Sequence, residues 1–182
     1  MRLMSAKSHN QLALVIKCQR HHETDLLVTL ITRERGKILT VAKGVRKLTS
    51  KRRSALEAGN LVHAQLIDTK GWPLLTQTKL VADTIAVRHE LAAMRKFLLF
   101  LEIIDRLIVA EELSPELFEQ ILYLRELILH RVSNEIVREH FTHVLQALGY
   151  ADERPEASIN QQVNAILDSQ LRSFEYLSVK IE

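Results

Sequence analysis

Apolar positions follow two different rhythms along the chain. Up to about Val81 they come as short, β-branched runs bounded by turn residues, the pattern of strands. The runs are residues 12–16 (LALVI), 26–32 (LLVTLIT), 37–43 (KILTVAK), 61–68 (LVHAQLID) and 74–81 (LLTQTKLV). Arg33-Glu34-Arg35-Gly36 reads as a tight hairpin turn, with Gly36 supplying a positive φ. In the third run Ile38, Thr40 and Ala42 share one face. Lys70-Gly71-Trp72-Pro73 is a second turn. Five strands in so short a stretch close most naturally into a small barrel, which removes the sheet's edges.

After Ala82 the period becomes helical. Leu91, Met94, Leu98, Leu101, Ile104 and Ile108 recur at three- and four-residue steps. Ser114-Pro115-Glu116 has a capping hydroxyl, a proline for the first helical position and an acid for the positive dipole end. Leu117, Ile121, Leu124 and Ile128 continue that helix. Ser133-Asn134-Glu135 opens another, which Gly149 ends. Arg154-Pro155 is a break, and Ser158 with Gln161 fits a capping box for a last helix. The fold class predicted is α+β with the two kinds of element segregated: a five-stranded barrel over residues 1–82, then an α-helical bundle over residues 83–182.

Charge divides the chain at the same place. Residues 1–82 hold 15 basic and 5 acidic side chains, a net of +10; residues 83–182 hold 10 and 17, a net of −7. The first half therefore suits a polyanion, a contrast hidden in the overall +3. An apolar content of 47% excludes disorder as the default. Cys18 is the single cysteine, so neither an intramolecular disulfide nor a cysteine-cluster zinc site can form, as expected for a reducing compartment. The run after Arg2 and Lys7 is too short for a signal peptide, and residues 97–110, the most apolar stretch, contain Glu102, Asp105 and Arg106. The expectation is a soluble, cytoplasmic protein without membrane association.

The candidate chemistry lies in residues 43–53. Lys43, Arg46, Lys47, Lys51, Arg52 and Arg53 stand there without an acid, and Arg33, Arg35 and Lys37 surround the preceding hairpin. In a small barrel the two segments can converge on one rim, where nine cations would make a footprint for phosphate. The alternatives are a solvated loop, or an adaptor surface that meets an acidic protein. Only Trp72 is aromatic in the first half, with His21, His22 and His63 as weaker rings. Stacking should then add little to backbone contacts, and Trp72 is expected to plug a barrel end rather than stand exposed.

Residues 23–37 (ETDLLVTLITRERGK) and 41–47 (VAKGVRK) carry a resemblance. The glutamate–aspartate entry, the T-x-E-x-G hairpin and the A-K-G-x-R loop resemble the N-terminal domain of RecO, the bacterial recombination mediator. Residues 145–150 (LQALGY) resemble a leucine-rich end of that family's helical domain. The resemblance implies an OB-fold DNA-binding domain, residues 1–82, followed by an α-helical domain, residues 83–182. It implies binding to single- and double-stranded DNA, annealing of strands coated by single-strand binding protein, and partnership with RecR in loading RecA at gaps. It implies no catalytic site and no cofactor. Lys43 and Arg46 would be DNA contacts, with Lys47 and residues 51–53 beside them. A four-cysteine zinc module carried by many members is excluded by the lone Cys18, and residues 151–160 fill what is usually a longer insertion. The tail of single-strand binding protein would need an apolar pocket with a cation, for which Arg95, Lys96, Arg106, Arg125 and Arg131 are available.

Other candidate groups have plainer roles. His140 and His143 stand three apart, but a closed zinc site needs four ligands, so a structural role is expected and no metal. His21-His22 beside Glu23 lacks a nucleophile. Glu23 and Asp25 should pair with local cations or cap a turn. Cys18 lies between Lys17 and Arg20 at one remove, yet burial as a small apolar residue is expected. The five glycines are scattered and form no phosphate loop.

Overall fold

A computed structural model describes residues 7–109 and 113–150. The chain forms two compact units, the first reaching Asp83 and the second starting at Thr84.

The first unit is a closed barrel of β1 (Ser8–His21), β2 (Asp25–Thr32), β3 (Gly36–Ala42), β4 (Leu61–Ile67) and β5 (Leu74–Ala82), joined in the order β1-β2-β3-β5-β4. Closure depends on β1, which serves two neighbours. Its first half pairs with β4, from Ser8 opposite Ile67 to Leu14 opposite Leu61. Its second half pairs with β2, from Ala13 opposite Thr32 to His21 opposite Asp25. A bulge between Val15 and Lys17 bends the strand where it changes partner. Gly59 donates its N–H to the Val15 carbonyl at 2.7 Å, and Val15 donates its own to Asn60 at 2.9 Å, which leaves the bulged backbone satisfied. The remaining seam is short and parallel: Val41 lies opposite Leu74 and donates to the Pro73 carbonyl at 2.9 Å.

The sequence runs match all five strands, with β1 extended at both ends: Ser8 to Gln11 precede the predicted run and pair with β4. The polar residues Lys17 to His21 continue β1 rather than leaving it, because β2 holds them by pairing although they bury little. Gly36 has φ of +57° at the β2–β3 turn, as its position there requires. The barrel core comprises Ala13, Val15, Val28, Leu30, Ala42, Val62, Ala64, Leu66 and Leu75, with Ile38 packed against it. Three residues of the long β3–β4 connection, Val45, Ala55 and Leu56, belong to the same core.

The second unit holds a helical turn α1 (Ile85–Arg88) and helices α2 (Leu91–Leu107), α3 (Pro115–Leu129) and α4 (Asn134–Ala147). Pro115 begins α3 with Glu116 in its first turn. Ser133 stands at the α4 N-cap, although its side chain makes no cap hydrogen bond. At the other end Gly149 takes φ of +87°, and the Tyr150 N–H donates to the Leu145 carbonyl at 2.9 Å, closing the helix. Leu117, Ile121, Leu124 and Ile128 are buried as their spacing predicts. On α2 the buried stripe is rotated from the expected one: Leu91 and Leu98 are exposed, while Phe97, Phe100 and Ile103 are buried beside Leu101 and Ile104. The larger phenylalanine rings bury more apolar area, so they take the inner face. The predicted last helix, from Ser158, lies outside the described residues.

Candidate nucleic-acid interface

The cation loop is not a loose strap. Val45 is fully buried between exposed Lys43 and Lys47, and Ala55 and Leu56 are buried at the far end. Burying valine and leucine side chains contributes roughly 1.5–3 kcal/mol each, so both ends of the loop are pinned to the barrel. Its entry is tied by Asp25, whose carboxylate accepts the Gly44 N–H at 2.8 Å. That bond, first, and a hydrogen bond from Thr24 hold the Asp25 carboxyl below the usual carboxylate range, with His22 and Lys43 adding positive field. The expected local role for Asp25 is thus a turn brace. The tie follows from register: Leu26 faces Ala42, so the residues just beyond, Asp25 and Lys43-Gly44, meet at the open end of the β2–β3 hairpin. Gly44 takes φ of +68° there, a conformation that favours glycine.

Two of the six loop cations act as clamps. The Arg46 guanidinium donates to the carbonyls of Glu23 at 2.7 Å and His22 at 3.4 Å. Arg52 donates to the carbonyls of Leu75 at 2.7 Å and Thr76 at 3.1 Å, and also to Lys43. Charged hydrogen bonds of this kind contribute about 1.5–3 kcal/mol. Carbonyls do not cancel charge, so both arginines still add to the field. The remaining four, Lys43, Lys47, Lys51 and Arg53, are exposed and form no salt bridge among the described residues, although Lys43 lies close enough to Asp25 to act on it through its field.

The hairpin cations stand elsewhere. An antiparallel hairpin keeps its turn and its open end at opposite poles, and Lys37 precedes Lys43 by six residues along β3. At about 3.3 Å per residue they are roughly 20 Å apart. The expected convergence of all nine on one rim is therefore corrected: six gather at the open end, while Arg33, Arg35 and Lys37 stay at the turn. Arg35 is also paired, with Asp68 at 2.7 Å, and His9 reaches the other oxygen of Asp68 at 2.8 Å. These hydrogen bonds, the Arg35 one first, lower the Asp68 pKa. Thr29, Ile31 and Val41, which lie between the two groups on β2 and β3, are buried.

The open end also gathers rings. His21 and His22 lie with centroids 4.1 Å apart, and Trp72 meets His21 edge-on at 5.9 Å. Trp72 is 48% exposed, so it is no plug; the proline turn holds it outward. His63 is on β4, opposite Leu12 and Lys79, apart from this group. Sequence carried no signal for the His21–Trp72 contact, which joins two distant turns.

The sites set aside behave plainly. Cys18 is pushed up to about 12 by burial and by Glu57, and its thiol donates to the Leu56 carbonyl at 3.3 Å. His140 contacts Tyr123 and His143 rings and the Ile136 carbonyl. Among the described residues no group of three or more His, Cys, Asp or Glu could hold a metal, and no helix is long and apolar enough to cross a membrane. In the helical unit Arg125 is fully buried beside Glu126, Arg106 pairs with Glu102 at 3.0 Å, and Arg131 pairs with Glu90 at 2.8 Å. Lys96, its pKa lowered by burial, donates to Asn134 at 2.8 Å, and the Nε of Arg95 is buried without a partner.

Residues 4–83 match the family described as recombination protein O N terminal. The chain is similar to the DNA repair protein RecO of Heliobacterium modesticaldum, 37% identical over 52% of this chain and 35% of the relative. With the DNA repair protein RecO of Myxococcus xanthus it shares 36% identity over 58% of this chain and 44% of the relative. With that of a Nocardioides species it shares 31% over 76% and 59%. The chain spans about half the length of the curated relatives it matches.

Proposed function

Because the chain belongs to the RecO family, we propose that it is a DNA-binding repair and recombination protein whose contact surface is the cation loop at the open end of the β2–β3 hairpin. The observation that carries this reading is the anchored loop itself. Four exposed cations that form no salt bridge among the described residues, Lys43, Lys47, Lys51 and Arg53, share with two clamped arginines a segment held at both ends by buried side chains. Phosphates are the chemistry that such a surface recognises, and they are read without regard to base sequence. Arg33, Arg35 and Lys37 add little contact. At roughly 20 Å they are more than two Debye lengths away at physiological salt, where that length is about 8 Å.

The mechanism is one of positioning rather than chemistry. Neutralising phosphates on two complementary strands lowers their mutual repulsion, which favours annealing. The finer roles proposed are annealing of single strands and, with RecR, help in loading RecA at gaps and breaks. Contact with the tail of single-strand binding protein is assigned to the helical unit. Both single- and double-stranded DNA serve as ligands, and no catalytic step or cofactor is involved.

The test is a titration of a labelled oligonucleotide at several salt concentrations, with polyglutamate as competitor. The DNA reading predicts a log–log salt slope set by several phosphate contacts and weak competition. A flat response, or displacement by polyglutamate at equal charge, contradicts it and favours an adaptor for an acidic protein.

A further inference from the structure

The cation loop cannot tell one nucleic-acid form from another, because every strand carries phosphates. The rings beside it can. Bases in a duplex are stacked on each other and hide their faces, whereas a single strand can splay them out. His21 ends β1, His22 opens the β1–β2 turn, and Trp72 stands in the β4–β5 turn. In five-stranded barrels of this topology those two loops flank the surface open to oligonucleotides.

Several bonds fix the backbone of the turns that carry the rings. The Trp72 carbonyl accepts the Thr69 hydroxyl at 2.9 Å, and the same hydroxyl accepts the Gly71 N–H at 3.1 Å. The next residue, Pro73, is fixed by its bond from Val41. On the other turn, His22 sits at φ of +51°, and its carbonyl is one of the two that receive Arg46. The turn carrying the histidines is therefore bonded directly to the cation loop. A half-exposed indole, two adjoining imidazoles and a guanidinium bonded at the same turn place π-faces within reach of positive charge. Stacked bases with their phosphates require that combination.

We propose that Trp72, with His21 and His22, forms a base-stacking subsite beside the cation loop, which gives the site a preference for single-stranded over duplex DNA. The inference rests on the proposed DNA contact at residues 43–53 and adds to it the class of ligand preferred. One stacked base should contribute about 5- to 150-fold in affinity.

Trp72 is the single tryptophan of the chain, so its emission reports the subsite directly. The full chain is titrated at low salt with labelled oligothymidylate, with an abasic oligomer of equal length and with a duplex, following anisotropy and tryptophan emission together. Oligothymidylate is expected to quench the emission and to bind about 5- to 150-fold tighter than the abasic oligomer. Trp72→Ala should erase that margin and leave abasic binding unchanged, and Trp72→Phe should restore part of it. Circular dichroism of each variant should match that of the parent. Equal affinity for the thymidylate and abasic strands with unchanged emission overturns the stacking subsite and leaves the cation-loop reading intact. If neither oligomer binds, the cation-loop reading fails, and the subsite with it.

Discussion

Replacing Lys43, Lys47, Lys51 and Arg53 together by alanine isolates the contact assigned to the loop. None of the four forms a salt bridge among the described residues, and all are exposed. Arg46 and Arg52 are left in place because they clamp the loop through carbonyls, and their loss would confuse folding with binding. Each phosphate contact on a single strand adds about 0.7 to the log–log salt slope, so four cations account for about 2.8. Between 50 and 200 mM salt that slope corresponds to roughly a 50-fold fall in affinity. The variant should lose this share of the salt dependence and should bind weakly already at low salt. Its thermal stability should stay within about 0.5 kcal/mol of the parent, as for ordinary surface changes. Fluorescence anisotropy against a labelled oligonucleotide at four or five salt concentrations reads the slope. The triple variant Arg33→Ala, Arg35→Ala, Lys37→Ala is the internal control, expected to keep the slope. If the loop variant keeps the parental slope and the hairpin variant loses it, the site has been put at the wrong pole of the barrel.

Other consequences are local. Asp25→Ala removes the acceptor of the Gly44 N–H and should lower stability by about 0.5–1.5 kcal/mol in urea denaturation. The folded pKa of Asp25 lies below its unfolded value, so the stabilisation is complete above the unfolded value, near 3.9, and is lost as pH falls through the depressed one. The Gly44 amide resonance should shift in that acid range, and a shift centred above pH 5 would contradict the assignment. With a pKa near 12, Cys18 has only about one thiolate in 10⁴ at pH 8. It should react slowly with alkylating agents until the barrel unfolds, and rapid labelling of native protein would refute the raised pKa of this partly buried thiol. Leu56→Ala, at a buried anchor of the loop, should cost about 2–5 kcal/mol and weaken DNA binding through loosening; unchanged stability would show that the anchor is unimportant.

Much of the barrel was readable from the runs because strand-forming residues there alternate between a core and an outer face. The end of β1 was not, since Lys17 to His21 are held by pairing to β2 and carry no apolar alternation. The β3–β5 seam, resting on Val41 and Leu74, joins residues far apart in sequence and left no local trace. The cation loop was legible as charge, but its division into clamps and free groups was not. Which arginine finds a carbonyl depends on how the turns stack. The misplaced rim had a simpler cause. The hairpin itself was correctly recognised, and its antiparallel geometry already separates Lys37 from Lys43. The exposure of Trp72 left no trace in the sequence, because exposure of a turn residue depends on tertiary placement, which spacing does not encode.

The most direct examination of where DNA lies is residue-resolved. Uniformly ¹⁵N-labelled protein is titrated with a short single strand, and the shifting backbone amides are mapped. The account predicts that the largest changes fall on residues 43–53 and on the adjoining turns at residues 21–24 and 70–72, with residues 33–37 nearly still. Changes confined to the hairpin turn or to the helices, with the loop unmoved, would contradict it.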